Sequence, residues 1–201
     1  MRAMLAAVLG VVAGAPVLAE PRVDDRFTAF EEACLDGYRD PAKRAAAIGA
    51  AGWQAVADDA DPELEALMGA AREAIADAEK EDDMTGAAAA FARGPADGRL
   101  YLVTTEMNMP ADAEWKIDLL ACHLYDFAAT SPLDPQILSD RFAEAPGETV
   151  DEPATLVGQM WNVESLEGIW EVRNTFIPEG SPAAAQTGFT GVMLKITSTR
   201  E

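Results

Sequence analysis

The stretch WKIDLLACHLYDF, residues 115–127, decides the fold class because its side chains alternate along the chain. The odd positions are apolar or amphipathic and include His123, whereas the even positions are polar at both ends and apolar in the middle, at Leu120, Cys122 and Leu124. Alternation with a period of two is typical of a β-strand whose two faces meet different surroundings. We predict a long strand here, with a helix covering the middle of its even face.

A candidate for that helix lies near the N-terminus. Its apolar positions, spaced three, seven and eleven residues from the first, are Phe27, Phe30, Cys34 and Tyr38. This spacing places them on one helical face, so Cys34 points inward. Two Asp-Pro steps, at residues 40–41 and 61–62, match an N-cap followed by proline at the first helical position. We therefore expect a helical part at about residues 24–93.

The second half of the chain is β-like. Besides the strand already described, β-rich segments occupy residues 99–106, 155–163, 168–177 and 188–197, and a helix begins at Asp134-Pro135. Short Gly and Pro turns favour antiparallel pairing over parallel βαβ units. Residues 180–188 are predicted to be a solvated loop. The expected fold is α+β, one domain over residues 20–201, with N-terminal helices packed on a mostly antiparallel sheet of about five strands at residues 99–198.

The first nineteen residues have the pattern of a secretory signal peptide. Met1-Arg2 gives a positive start, residues 5–13 are apolar, and Val17 and Ala19 are small residues at the cleavage-determining positions. A membrane anchor needs about 20 apolar residues, and Gly14 and Pro16 interrupt this run earlier. We predict cleavage after Ala19, a periplasmic or secreted protein, and no membrane span in the mature chain.

The charge of the chain limits its partners. The 201 residues contain 35 acidic and 15 basic side chains, which gives a formal net charge of −20, and 49% of residues are hydrophobic. Nucleic-acid binding relies on Lys and Arg that neutralise phosphates, so this acidic protein is not predicted to bind nucleic acid. The predicted partners are a basic protein or a small neutral ligand.

Both cysteines, Cys34 and Cys122, lie in the part of the chain that would be exported to an oxidising compartment. They allow a single disulfide. No Cys-x-x-Cys motif is present, and one histidine, His123, cannot complete a structural zinc site without carboxylates from elsewhere. We predict a disulfide between Cys34 and Cys122.

The search for catalytic motifs finds none: there is no Gly-x-Ser-x-Gly elbow, phosphate-binding loop or dinucleotide fingerprint. His123 could serve as a general base, but we predict a structural, buried histidine because the sequence pairs no nucleophile with it. No catalytic residue, cofactor or metal ligand is assigned.

An acidic cluster and four tryptophans are the other candidate features. The cluster, Asp58, Asp59, Asp61 and Glu63, lacks the spacing of an EF-hand loop, and a helix cap with first-turn acids explains its last two members. The tryptophans, which either line a pocket or fill the core, are Trp53, Trp115, Trp161 and Trp170. Core packing is the expected role.

Several short motifs occur together in this chain. They are Phe27-x-x-Phe30-x-x-x-Cys34-Leu35, an Asp40-Pro41 helix start, Ala51-Gly52-Trp53, and Ala121-Cys122 in a strand. In these motifs the chain resembles a diffuse set of uncharacterised secreted or periplasmic bacterial proteins over most of its mature length. The resemblance implies that Cys34 and Cys122 are paired, and it implies no activity.

Three functions are compatible with this pattern. The first is a non-catalytic periplasmic protein, a binding or accessory module. The alternatives are an acidic inhibitor of a basic envelope hydrolase and a small enzyme that uses carboxylates with His123. An apolar closed pocket would favour the ligand-binding module, a protruding acidic loop the inhibitor, and convergent polar groups with perturbed pKa values in one cleft the enzyme.

Overall fold

The computed structural model describes residues 24–35, 37–81, 83–110, 113, 118–163 and 166–200, without the side chains of residues 81, 97, 169 and 170. The predicted signal peptide at residues 1–19, and residues 115–117 of the alternating stretch, lie outside the described residues.

The described chain forms one antiparallel sheet of eight strands. In chain order these are β1 (Gln54–Ala55), β2 (Thr85–Arg93), β3 (Leu100–Asn108), β4 (Asp118–Asp126), β5 (Glu148–Glu152), β6 (Leu156–Trp161), β7 (Ile169–Ile177) and β8 (Gly191–Arg200). Their order across the sheet is β1-β2-β3-β4-β8-β7-β6-β5. The C-terminal strand is therefore inserted in the middle, between β4 and β7.

Five α-helices accompany the sheet in the described residues. They are α1 (Asp25–Phe30), α2 (Pro41–Ala50), α3 (Pro62–Glu81), α4 (Pro135–Phe142) and α5 (Pro182–Thr187), and a π-helical turn (Glu31–Leu35) continues α1. The predicted Asp-Pro helix starts are confirmed, since the Asp40 carboxylate accepts hydrogen bonds from the backbone N–H groups of Ala42 and Lys43. Asp61 and Asp134 cap α3 and α4 in the same way.

Each face of the sheet carries its own hydrophobic core. On the face we call the disulfide face, residues of α1, the π-helical turn, α2 and α4 pack on alternate side chains such as Leu102, Leu124 and Leu194. On the other, the α3 face, Leu64 and Met68 of α3 pack against the opposite set of strand residues, with α5 beside them. The alternation along β4 thus separates two buried layers.

The disulfide between Cys34 and Cys122 is confirmed. Cys34 lies on the π-helical turn and Cys122 in β4, their Cα atoms are 5.7 Å apart, and both residues are buried in the core of the disulfide face. The helix predicted to cover the even face of the strand is therefore the one that carries Cys34. None of the helices in the described ranges is long and apolar enough to cross a bilayer.

The expectation of about five strands with N-terminal helices is wrong. The helical part does not extend to residue 93, because the Ala-rich segment TGAAAAFAR is strand β2. Alanine has the highest helix propensity of all residues, but propensity is a weak preference that tertiary packing overrides in this segment. Here the small side chains let α3 approach the sheet closely: a Cβ atom on Gly86 would lie 2.7 Å from Cγ2 of Ile75 in α3.

Two other strands were missed, and one predicted loop is partly helical. Strand β1 has only two residues, and every residue of β5 is exposed, so neither has an apolar pattern. Within residues 180–188, the Ser181 hydroxyl accepts a hydrogen bond from the backbone N–H of Ala184 and caps α5. This short helix connects β7 to β8 and forms one wall of the site described next.

Candidate functional site

An open cleft of about 250 Å³ lies on the α3 face over strands β5 to β8. We call it the β5–β8 cleft. Its lining residues are Glu148, Val150, Leu156, Gly158, Gln159, Met160, Arg173, Thr175, Ile177, Thr187, Phe189 and Met193. The lining is mainly apolar, and Arg173 and Glu148 are its charged members.

Strand β6 forms the floor of the cleft, and no side chain projects from its centre because that residue is Gly158. Gly158 pairs with Val150 on one side and with Thr175 on the other. A Cβ atom placed on it would meet no neighbour closer than 3.7 Å, so there is room above the strand. Leu156 and Met160, two residues away on either side, face the same way because side chains alternate in a strand.

The connection between β7 and β8 forms the wall. Phe189 is buried and packs edge-to-face on Tyr125 of β4, with 5.3 Å between ring centroids. The next residue, Thr190, donates hydrogen bonds from its backbone N–H and its hydroxyl to Oε1 of Glu63, at 2.6 and 2.9 Å. Glu63 lies in the first turn of α3, so the wall is held to that helix.

The side of the cleft towards strand β5 is open to solvent. Val150, which pairs with Gly158, is 43% exposed and contributes apolar surface to the lining. A ligand can therefore enter from this side without any movement of the helices.

A group of charged residues borders the cleft on β7 and β8. We call Glu171, Arg173 and Lys195 the charged row. Oε1 of Glu171 accepts a hydrogen bond from Lys195 Nζ at 2.6 Å, and Oε2 accepts one from Arg173 Nη2 at 2.9 Å. Burial raises the pKa of Glu171, but hydrogen bonds and charges from Lys195 and Arg173 outweigh it and lower the pKa below its usual value. Glu171 is thus a carboxylate shared by two cations.

Arg173 connects the charged row to the apolar lining. Its Nη2 also contacts the Met160 sulfur at 3.4 Å. Its Nε is buried and has no hydrogen-bond partner within the described part of the chain. The guanidinium is therefore paired with Glu171 through Nη2, and its buried Nε is a donor that this pairing does not use.

His123 lies beside this row. On β4 it pairs with Lys195 of β8 and with Val103 of β3. Burial, together with the positive charge of Lys195, lowers the pKa of His123 to about 3, although the charge of Glu171 opposes both effects. The imidazole is neutral at physiological pH. Its ring nitrogens form no hydrogen bond with any described residue.

The acidic cluster is dispersed among separate interactions. Asp58 forms an ion pair with Arg72, Asp61 caps α3, and Glu63 holds Thr190. Among residues 24–35, 37–81, 83–110, 113, 118–163 and 166–200, no group of three or more His, Cys, Asp or Glu is arranged to hold a metal ion.

The tryptophans that can be placed do not line the cleft. Trp53 and Trp161 both belong to the core of the disulfide face, and Nε1 of Trp161 donates to the Ser139 hydroxyl at 3.3 Å. Trp115 and the side chain of Trp170 lie outside the described residues.

The residues of the cleft and of the charged row are not evident from the sequence. Strand alternation does place Glu171, Arg173 and Thr175 on one face of β7, and Met193 and Lys195 on one face of β8. This alternation can be seen in the sequence, but it does not predict the order of the strands in the sheet.

Comparison of the chain with family models, with curated proteins and with solved structures finds no match. The resemblance to secreted bacterial proteins therefore stays a prediction. The chemistry of the cleft is the basis for a functional assignment.

Proposed function

We propose that this protein is a non-catalytic binding module that takes a small, neutral and largely apolar ligand in the β5–β8 cleft. The observation that carries the proposal is the mainly apolar lining of the cleft, in which Gly158 contributes no side chain. Ligand sites are concave and mostly apolar, with a few polar groups that orient the ligand. Arg173 and Thr175 supply such groups here.

The size and chemistry of the lining define the ligand class. A volume of about 250 Å³ is just below the usual range of about 300–1,000 Å³ for small-molecule sites, so the ligand is small. Met160 and Met193 are flexible, polarisable side chains that adapt to ligands of different shape. Glu171 already pairs with Arg173, which favours a neutral ligand that accepts a hydrogen bond over an anion.

The state of His123 supports a binding role rather than general base catalysis. A catalytic base works best with a pKa near the operating pH. Burial instead holds the pKa of His123 at about 3, with Lys195 acting in the same direction. An imidazole that does not accept a proton near neutral pH is unsuited to proton transfer.

We infer that the protein acts outside the cytoplasm, in the periplasm or after secretion. The Cys34–Cys122 disulfide supports an oxidising compartment, and residues 1–19 have the pattern of an export signal. Mass spectrometry of protein expressed with its full sequence in a Gram-negative host tests this: the N-terminus should be Glu20.

Titration with the neutral apolar fluorophore N-phenyl-1-naphthylamine tests the binding proposal. The wild type should enhance its fluorescence, and Gly158→Val, which fills the floor, should weaken binding at least tenfold. Thr149→Val is the control, because Thr149 lies in β5 but does not line the cleft. Equal binding by Gly158→Val and the wild type, at equal unfolding midpoints, would show that the cleft is not the site.

A basic protein is the second candidate partner, and the acidic edge strand favours it. Glu148, Asp151 and Glu152 are all exposed on β5. Charges on an edge strand also prevent edge-to-edge aggregation, which explains them without a partner. Salt-sensitive retention on an immobilised basic envelope hydrolase, lost when all three acids are replaced by lysine, would support this candidate.

A further inference from the structure

Arg44 is a buried arginine without a partner. It lies in α2 and is only 5% exposed. Within the described ranges its guanidinium makes neither a hydrogen bond nor an ion pair. A guanidinium is always charged and has five N–H donors, so removing most of its water without giving it a protein partner is unfavourable; its nitrogens keep the small accessible surface that a ligand could contact.

The other arginines show how unusual this is. Each of the following lies within ion-pair distance of a carboxylate: Arg26, Arg39, Arg72, Arg93, Arg141, Arg173 and Arg200. Their side chains are all more exposed than Arg44. Arg99, which is partly exposed, also forms no ion pair, so Arg44 is the more buried of the two arginines in the described residues that lack a carboxylate partner.

The Arg44 side chain lines a pocket of about 240 Å³ between α2 and strands β2 and β3. We call it the Arg44 pocket. Ile48, Phe91 and Ala89 give it apolar walls, and Thr104 and Glu106 are its other polar members. The pocket lies on the disulfide face near the β1 edge of the sheet, whereas the β5–β8 cleft lies on the α3 face at the opposite edge. The two are separate.

Glu106 does not neutralise Arg44 by contact. Its carboxylate lies 3.8 Å from Nη2 of Arg200, which also donates to Asp118. Burial lowers the pKa of Arg44, the charge of Glu106 opposes this, and the charge of Arg200 adds to it. The pocket thus holds one cation and one anion that do not bond to each other.

We propose that the Arg44 pocket binds a small monocarboxylic acid with an apolar body. The planar guanidinium can donate two parallel hydrogen bonds to a carboxylate. Ile48 and Phe91 would contact the apolar body. A doubly charged phosphate fits less well, because Glu106 would repel the second negative charge. This inference does not depend on the function proposed for the β5–β8 cleft.

Isothermal titration calorimetry with benzoate, benzamide and inorganic phosphate tests the proposal by measuring the dissociation constant of each compound. Benzoate and its neutral isostere benzamide have the same shape, so their difference reports the charge. The wild type should bind benzoate at least tenfold more tightly than benzamide or phosphate. Arg44→Gln should remove this preference, and Arg44→Lys should keep part of it.

Lys43→Gln is the matched control, because Lys43 is the exposed neighbour on the same helix and does not line the pocket. It removes the same charge and should leave benzoate binding unchanged. Ala89→Leu, which fills the pocket from the exposed strand side and leaves Arg44 in place, should weaken benzoate binding at least tenfold even if Arg44→Gln fails to fold. No benzoate binding by the wild type, equal binding of benzoate and benzamide, or unchanged benzoate binding by Ala89→Leu would each overturn the proposal.

Discussion

Cys34 in the π-helical turn and Cys122 in the middle of β4 are joined by a disulfide, with their Cα atoms 5.7 Å apart. The two residues are separated by 88 positions in the sequence, and that segment contains α2, α3 and strands β1 to β3. The bond therefore holds the N-terminal helical layer to a central strand of the sheet across nearly half of the chain.

Removing this bond should destabilise the protein strongly. For a closed loop of this length, chain-entropy estimates predict that the disulfide raises the free energy of unfolding by up to about 4–5 kcal/mol. We expect the double variant Cys34→Ala/Cys122→Ala to approach that loss in urea denaturation, and the reduced wild type to behave in the same way.

Thiol titration tests the pairing directly. Unreduced, denatured wild type should have no titratable thiols. Two thiols per chain in periplasmic material would contradict the pairing.

The part of the fold that could be predicted is the part with a local signal. The alternation around Cys122 identified β4, and the carboxylates of Asp40, Asp61 and Asp134 identified three helix starts, because a cap is a short-range interaction. Strands β2 and β5 lacked such a signal. The side chains of β2 are mostly alanine, and β5 is exposed on both faces, so neither strand shows the apolar period of two.

Two strand glycines should respond oppositely to substitution by alanine. A Cβ on Gly86 would lie 2.7 Å from the Ile75 side chain, whereas one on Gly158 would have normal contacts of at least 3.7 Å. We expect Gly86→Ala to lower the free energy of unfolding by about 1–3 kcal/mol, as overpacking does. Gly158→Ala should be neutral or stabilise by up to about 1 kcal/mol, because it restricts the unfolded chain.

Equilibrium denaturation of the two variants side by side provides the measurement. Equal destabilisation by both would show that α3 does not approach β2 as closely as described, or that the space above Gly158 is filled.

The candidate site was less predictable than the fold because its residues converge only through the order of the strands. Alternation alone places Arg173 on one face of β7 and Met193 on one face of β8. Nothing local indicates that β8 inserts between β4 and β7, or that β6 brings Gly158 beside them. Phe189 was also missed as a wall residue, because it lies in the segment 188–197 predicted to be β-like, whereas strand β8 begins only at Gly191.

The hydrogen bonds from Thr190 to Glu63 should hold the cleft wall in place. Glu63→Ala removes a charged acceptor from two donors, and hydrogen bonds to charged groups contribute about 1.5–3 kcal/mol. We expect a loss of stability in that range, together with weaker binding of N-phenyl-1-naphthylamine. Glu65→Ala, on the exposed side of the same helix turn, removes the same charge and should change neither property.

His123 should make stability depend on pH below neutrality. Its folded-state pKa is held at about 3, mainly by burial, against an ordinary value of 6.5. Between these values the unfolded chain binds a proton that the folded chain does not, so the free energy of unfolding falls as the pH falls. The slope from this residue is at most about 1.4 kcal/mol per pH unit. Above pH 6.5 the imidazole is neutral in both the folded and the unfolded state, so this loss of stability is absent.

Comparison with His123→Gln isolates this effect from the carboxylates, because glutamine does not titrate. At pH 7.5 we expect the variant to be less stable by about 1–3 kcal/mol, the usual effect of replacing a packed, partly buried side chain. As the pH is lowered from 6.5 towards 4, the wild type should lose this advantage and then become the less stable protein, because only its unfolded state gains an imidazolium. Urea denaturation of both proteins at half-unit pH steps measures the difference. A difference that stays constant from pH 7.5 to 4 would mean that His123 titrates normally in the folded protein, and general base catalysis by this residue would then regain support.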